Sequence, residues 1–161
     1  MKRLLTYGAC LLLPIFSCFA QEPVEDTIVI AEQNKIQSLS FRIEPLNDEQ
    51  MQAGITQELL QEIISKELAN HRIPVDPQLT QPSLVLKIRS IQVGLDIATF
   101  FQLQLYEQAL LVRNRGLFNA TTWSQTALLS CPPEKLKQEV VETVTLLSQN
   151  FAKEYSKALS P

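Results

Sequence analysis

The sequence predicts an α+β fold: a two-layer sandwich in which a mainly antiparallel sheet of about four to five strands carries two long helices on one face. Three observations point there. Between residues 83 and 129 apolar residues alternate with polar ones at period two, as in half-buried strands. Residues 48–70 and 132–158, on either side of that region, carry apolar stripes at helical spacing over a polar remainder. The strands follow one another directly, so they are expected to pair with their sequence neighbours and leave one face for both helices.

The first strand is expected from Ile36 onward, where Leu39, Phe41 and Ile43 alternate with Ser40, Arg42 and Glu44 before Pro45. Asn47 or Asp48 offers a helix N-cap, with Glu49 in the first turn. Met51, Ile55, Leu59, Ile63 and Leu68, widened by Leu60 and Ile64, then predict one helix over 48–70, about 35 Å long at 1.5 Å per residue. Asn70-His71-Arg72 suits its C-terminal end, and Ile73-Pro74-Val75 a short extended piece. Gln81-Pro82 marks a turn into a strand over 83–96. There the apolar parity moves from Leu84, Leu86 and Ile88 to Ile91, Val93 and Leu95, as a β-bulge would make it. Residues 97–108 alternate again, Phe101, Leu103 and Leu105 against Gln102, Gln104 and Tyr106. Asn114-Arg115-Gly116 is a turn with the left-handed conformation expected at Gly116. Phe118 to Leu129, β-branched and aromatic, is the last strand. Pro132-Pro133 stops it and opens a helix striped by Leu136, Val140, Val144, Leu147, Phe151 and Tyr155.

The chain divides into an export signal over 1–20, a partly disordered leader over 21–35, and a single α+β domain over 36–161. Lys2 and Arg3 precede an apolar run from Leu4 to Phe19, which ends in Cys18-Phe19-Ala20, the small-x-small pattern of a cleavage site. The run is short for the roughly 30 Å of a bilayer core, and no second run is long enough to span one. A second reading keeps Cys18: Ile15-Phe16-Ser17-Cys18 approximates a lipobox, in which lipid on Cys18 would tether the domain to a membrane. The expected location is therefore periplasmic or secreted, with a membrane-tethered lipoprotein as the alternative. Cleavage after Ala20 removes Lys2 and Arg3, taking 14 basic residues to 12 against 17 acidic ones, a net charge of −5. It also leaves Cys131 as the lone cysteine, so no internal disulfide forms and about 140 residues must bury their own core.

Three segments carry a family resemblance: Pro82-Ser83-Leu84-Val85-Leu86-Lys87-Ile88, then Ala120-Thr121-Thr122-Trp123-Ser124, and the ending Asn150-Phe151-Ala152-Lys153-Glu154-Tyr155-Ser156-Lys157-Ala158. Together they resemble a family of small exported bacterial proteins of unknown function with a Thr-Trp-Ser strand and a closing Phe-x-x-x-Tyr helix. The resemblance spans roughly residues 36–159. It departs at His71-Arg72-Ile73, where the family places a glycine before the isoleucine. The matching positions are mostly packing residues, so the resemblance implies export and fold, and no site residue comes with it.

The composition narrows the chemistry. A sequence pI near 5.2 removes the electrostatic case for nucleic acid. Four glycines leave no phosphate cradle, and no Gly-x-Ser-x-Gly elbow occurs. With one histidine, Cys131–His71 is the only cysteine–histidine pair the mature chain offers, and a buried or capping cysteine is the simpler reading. Glu58 and Glu62 share a helix face that is expected to be solvated. No cofactor, no metal site and no catalytic residue is expected.

What remains is a surface. Phe100 and Tyr106 point away from the helices if Phe101, Leu103 and Leu105 point toward them. If Trp123 shares their side, an outer sheet face carries three aromatics among glutamines and arginines. Lys87 and Arg89, with Arg113 and Arg115, would add a small basic patch suited to an acidic partner or lipid headgroups. The expected role is an envelope binding or assembly module that holds another envelope protein or its own twin through this face or an edge strand. The alternatives are a small-molecule or lipid carrier with an apolar pocket and, further back, an enzyme.

Overall fold

The computed structural model describes residues 28–29, 38–113 and 115–158. The expected export signal with Cys18, most of the expected leader and Ile36 lie outside the described residues. In chain order the elements are β1 (Ile28–Val29), β2 (Ser40–Ile43), α1 (Asp48–Gln52), α2 (Gln57–Asn70), β3 (Ser83–Val93), β4 (Asp96–Leu111) and β5 (Gly116–Cys131). A 3-10 turn (Pro133–Lys135) then leads into α3 (Leu136–Ala158). The fold is α+β with one mixed sheet.

β3, β4 and β5 form an antiparallel meander, as the alternation predicts. β2 corrects the expectation of a mainly antiparallel neighbour: it pairs with β3 in parallel, Ser40 opposite Ser83 and Ile43 opposite Leu86. The helices between them make the crossover that parallel strands require. Leu39 extends this edge by a parallel bridge to Val75, which gives the Ile73-Pro74-Val75 piece its partner. β1 pairs with β4 at Leu110 and Leu111, beyond the point where β3 begins.

Two turns differ from the sequence expectation. The strand expected over 83–96 ends at Val93, and a two-residue loop, Gly94-Leu95, reverses it into β4. Gly94 has φ +63°, the left-handed conformation that tight hairpins demand. At the β4–β5 turn, Arg115 rather than Gly116 is left-handed, at φ +55°, and its N–H donates to the Leu111 carbonyl at 2.8 Å. β3 runs without a bulge. The bulge sits in β5, where Leu105 faces Trp123 and Tyr106 faces Thr121, leaving Thr122 as the extra residue.

The helix expected over 48–70 is two helices. Gly54, at φ +73°, breaks it, and Thr56 caps the second by accepting from Leu59 N–H at 3.2 Å. Asn47 and Gln50 close a reciprocal capping box on α1. The same two residues tie α1 to the sheet. Asn47 Nδ2 donates to the Ser90 carbonyl at 2.6 Å, and Gln50 Nε2 to Ser90 Oγ at 3.2 Å, which meets Thr99 Oγ1 at 2.9 Å. Gln50, Ser90 and Thr99 are buried, and each has a partner, as burial of polar groups requires.

α2 and α3 pack together over one face of the sheet. Leu60, Ile64 and Leu68 from α2 meet Leu136, Val140, Val144, Leu147, Phe151 and Ala152 from α3. Below them lie Leu84, Leu86, Ile88, Phe101, Leu103 and Leu105. This single core is the sandwich interior.

Candidate binding surface

The opposite sheet face is set by strand parity. With Leu84, Leu86, Ile88 and Ser90 turned into the core, β3 presents Lys87, Arg89, Ile91 and Val93 outward. β4 presents Ala98, Phe100, Gln102, Gln104 and Tyr106, and β5 beyond its bulge presents Ser124, Thr126, Leu128 and Ser130. Cross-strand register turns these into rows: Lys87–Gln102–Thr126, Arg89–Phe100–Leu128 and Ile91–Ala98–Ser130. The face is therefore polar along its middle and apolar toward the Gly94-Leu95 hairpin. There Ile91 is 63% exposed, Val93 56%, Leu128 75% and Phe100 40%, with Leu95 at the tip 91% exposed.

Four of the five expected site residues lie on this face, but they do not form one cluster. Phe100 and Tyr106 are six residues apart on β4, about 20 Å along the strand. Tyr106 sits in the polar part, its hydroxyl donating to Gln104 Oε1 at 2.9 Å. Trp123 is on the other face, which corrects the three-aromatic expectation. The bulge at Thr122 turns Trp123 inward, where it meets Phe151 edge-on at 5.0 Å and donates from Nε1 to Glu154 at 2.6 Å. Phe151 in turn stacks on Tyr155 at 5.2 Å. The Thr-Trp-Ser strand and the closing Phe-x-x-x-Tyr helix thus form one packing unit.

The basic patch also differs from the expectation. Glu44, one residue past β2, clasps both cations: Lys87 Nζ at 3.3 Å and Arg89 at 2.8 Å. Arg89 donates further to the Pro45 carbonyl at 3.3 Å. Arg113 and Arg115 lie in the β4–β5 turn, roughly 30 Å along β4 from Gln102, and are not part of it. Sequence reasoning misses the exposed Ile91, Val93, Leu95 and Leu128 as surface residues. For the first three the signal is the parity shift at 91–95, which places apolar residues on the polar side of β3 and its hairpin.

The other candidates are separated or solvated. Cys131 is buried at the Ile97 end of β4, whereas His71 caps α2 at the Leu39–Val75 end, about 30 Å away along the sheet. Burial, followed by the carboxylates of Glu139, Asp96 and Glu134, pushes the Cys131 thiol above its ordinary range. Glu58 is fully exposed, its carboxyl held below the ordinary range by its backbone N–H and the Thr56 hydroxyl. Gln138 donates to Glu142 at 2.9 Å on the solvent side of α3. Among the described residues no group of histidine, cysteine and carboxylate side chains is placed to hold a metal, and no helix is long and apolar enough to cross a membrane.

No family model and no curated protein matches the sequence. Among solved structures, the chain is similar to a minor lipoprotein from Acinetobacter baumannii. The TM-score is 0.38 at 13% identity, over 76% of this chain and 94% of that one. It is similar to PelC from Paraburkholderia phytofirmans, solved as a dodecamer, with a TM-score of 0.40 at 12% identity over 71% of this chain and 86% of that one. Similarity this loose carries no role from those proteins to this chain, and the outer sheet face stands on its own geometry.

Proposed function

We propose that this chain is an exported cell-envelope binding or assembly module without catalytic activity, which holds another envelope protein or its own twin through the outer face or an edge of its sheet. The carrying observation is the apolar end of that face, where Ile91, Val93, Phe100 and Leu128 are exposed on adjacent strands. Adjoining exposed apolar side chains beside a polar surround are the usual mark of a contact surface. Export rests on the sequence of residues 1–20. The absence of catalysis is supported by the separation of Cys131 from His71 and by a thiol that burial keeps protonated. The carrier reading has less behind it, because side chains from both layers fill the space between helices and sheet.

A photoreactive residue placed at Phe100 in the full chain, in producing cells, tests the reading. A discrete crosslinked species is expected there and not from the exposed Gln149 on α3. Equal or absent crosslinking at the two positions sinks binding through the outer face and leaves only the sheet edge. Intact mass of the membrane-fractionated protein decides the anchoring. A soluble species beginning at Gln21 means a free domain, and a diacylglyceryl mass on Cys18 means a tethered one.

A further inference from the structure

The two edges of the sheet are built differently. β2 is four residues long and carries Arg42, with Glu44 just beyond it, so length and charge blunt that edge. β5 is sixteen residues long, with no Asp, Glu, Lys, Arg or Pro between Gly116 and Cys131. Among the described residues it pairs with β4 alone. Its one edge defence is the bulge at Thr122, which leaves Trp123 to Ser130 regular. Leu117 and Leu128, both well exposed, stand near its two ends.

From these features we infer that β5 is the pairing edge for a second copy of this chain, joined antiparallel about a two-fold axis so that two sheets become one. The inference rests on the binding-module reading above and specifies its partner. Self-pairing sets each strand against itself, so any charge near the axis would meet its own sign across it. A strand free of charge over sixteen residues carries no such penalty. Antiparallel pairing also brings the Leu117 end of one copy to the Leu128 end of the other, so that each covers apolar surface the other leaves exposed. The strand edge from Leu117 to Ser130 is about 48 Å long and about 10 Å thick, giving about 500 Å² per copy. Two copies together bury about 1,000 Å², the lower end of what a specific interface needs.

The test is sedimentation velocity of the full chain purified from producing cells, in mild detergent if it stays with membranes, over a wide concentration series. A dimer is expected. Ser124→Lys, at an exposed position midway along β5, places two ammonium groups beside the axis and raises the dimer Kd at least about tenfold. Its far-ultraviolet circular dichroism and melting temperature stay those of the parent. Gln92→Lys, exposed on β3 two strands away, leaves the dimer intact and separates the β5 edge from the rest of the sheet, while Ile91→Lys reads the apolar outer face. Amides from Gln125 to Ser130 exchange more slowly in the parent dimer than in the Ser124→Lys monomer. A parent chain that is monomeric throughout, or a dimer broken by Ile91→Lys and not by Ser124→Lys, overturns the inference. A monomer that still crosslinks at Phe100 overturns self-pairing alone and leaves the binding reading standing.

Discussion

Tyr155 closes the aromatic unit with an uneven balance. Its ring stacks on Phe151, yet its hydroxyl is buried without a hydrogen-bond partner among the described residues. Burial, and secondarily the Glu107 carboxylate, push the phenol well above its ordinary value of 10.0. The folded state therefore favours the protonated form. Stability from this group is undiminished below about pH 10 and falls as pH rises further, because the unfolded chain releases the proton first. Tyr155→Phe removes the unpartnered hydroxyl while keeping the stack. It is expected to leave stability unchanged or raise it by about 1 kcal/mol at neutral pH, and to flatten the alkaline loss, as read by urea melts across pH. Phe151→Ala, at a fully buried ring against Trp123, is expected to cost about 3–5 kcal/mol in the same measurement.

At the scale of elements, the break between α1 and α2 is held by two local devices. Gly54 takes φ +73°, and only Lys137 Nζ, 3.8 Å away, approaches the place a methyl group would occupy. Space is therefore not the constraint there; backbone conformation is. Gly54→Ala is expected to destabilise by about 1 kcal/mol through that conformation alone. Asn47→Ala loses both the cap and the bond to the Ser90 carbonyl, and is expected to cost about 2 kcal/mol, at the upper end for caps. Thermal melts of the two variants check the order. This break is not legible in the sequence, because the apolar stripe of Met51, Ile55, Leu59 and Ile63 runs through Gly54 without losing phase. The structure buries Ile55, Leu60, Ile64 and Leu68 and leaves Met51 55% exposed, so α1 faces elsewhere. The strands of the meander are legible because alternation reports burial directly. Which way β2 runs is not, since alternation is the same in parallel and antiparallel strands. Alternation also puts Trp123 on the wrong face, because one extra residue, Thr122, reverses parity without changing composition.

At the scale of the molecule, the helices protect one side of the sheet, whereas the other side is exposed toward the Gly94-Leu95 hairpin and buried at Val85. α2 and α3 cover the inner face, and Glu44 ties the polar part of the outer face to the β2 edge through Lys87 and Arg89. Such partly exposed ion pairs contribute about 0–1 kcal/mol each, so they orient side chains more than they stabilise the fold. The apolar part of the outer face reads in the sequence as a bulge. Ile91, Val93 and Leu95 look like core residues by type, and only the register of β3 with β4 shows them turned to solvent.

The parallel pairing of β2 with β3 has a consequence for how the chain assembles. β3 and β4 are joined by two residues, so their ladder can close early, whereas Ser40 must find Ser83 across forty-three positions of chain. Closing the longer loop costs more entropy before any contact rewards it. The meander is therefore expected to zip first and β2 to dock late, with the 39–43 strip as the least cooperative part of the sheet. Native-state hydrogen exchange should show the amides of Leu39 to Ile43 opening at lower free energy than those of Thr99 to Leu105. Equal protection in both would mean that the crossover forms together with the hairpins. If β2 does dock last, the flank of β3 is the final unsatisfied ladder in the nascent protein, and it stays open until the helical crossover has folded back over the sheet.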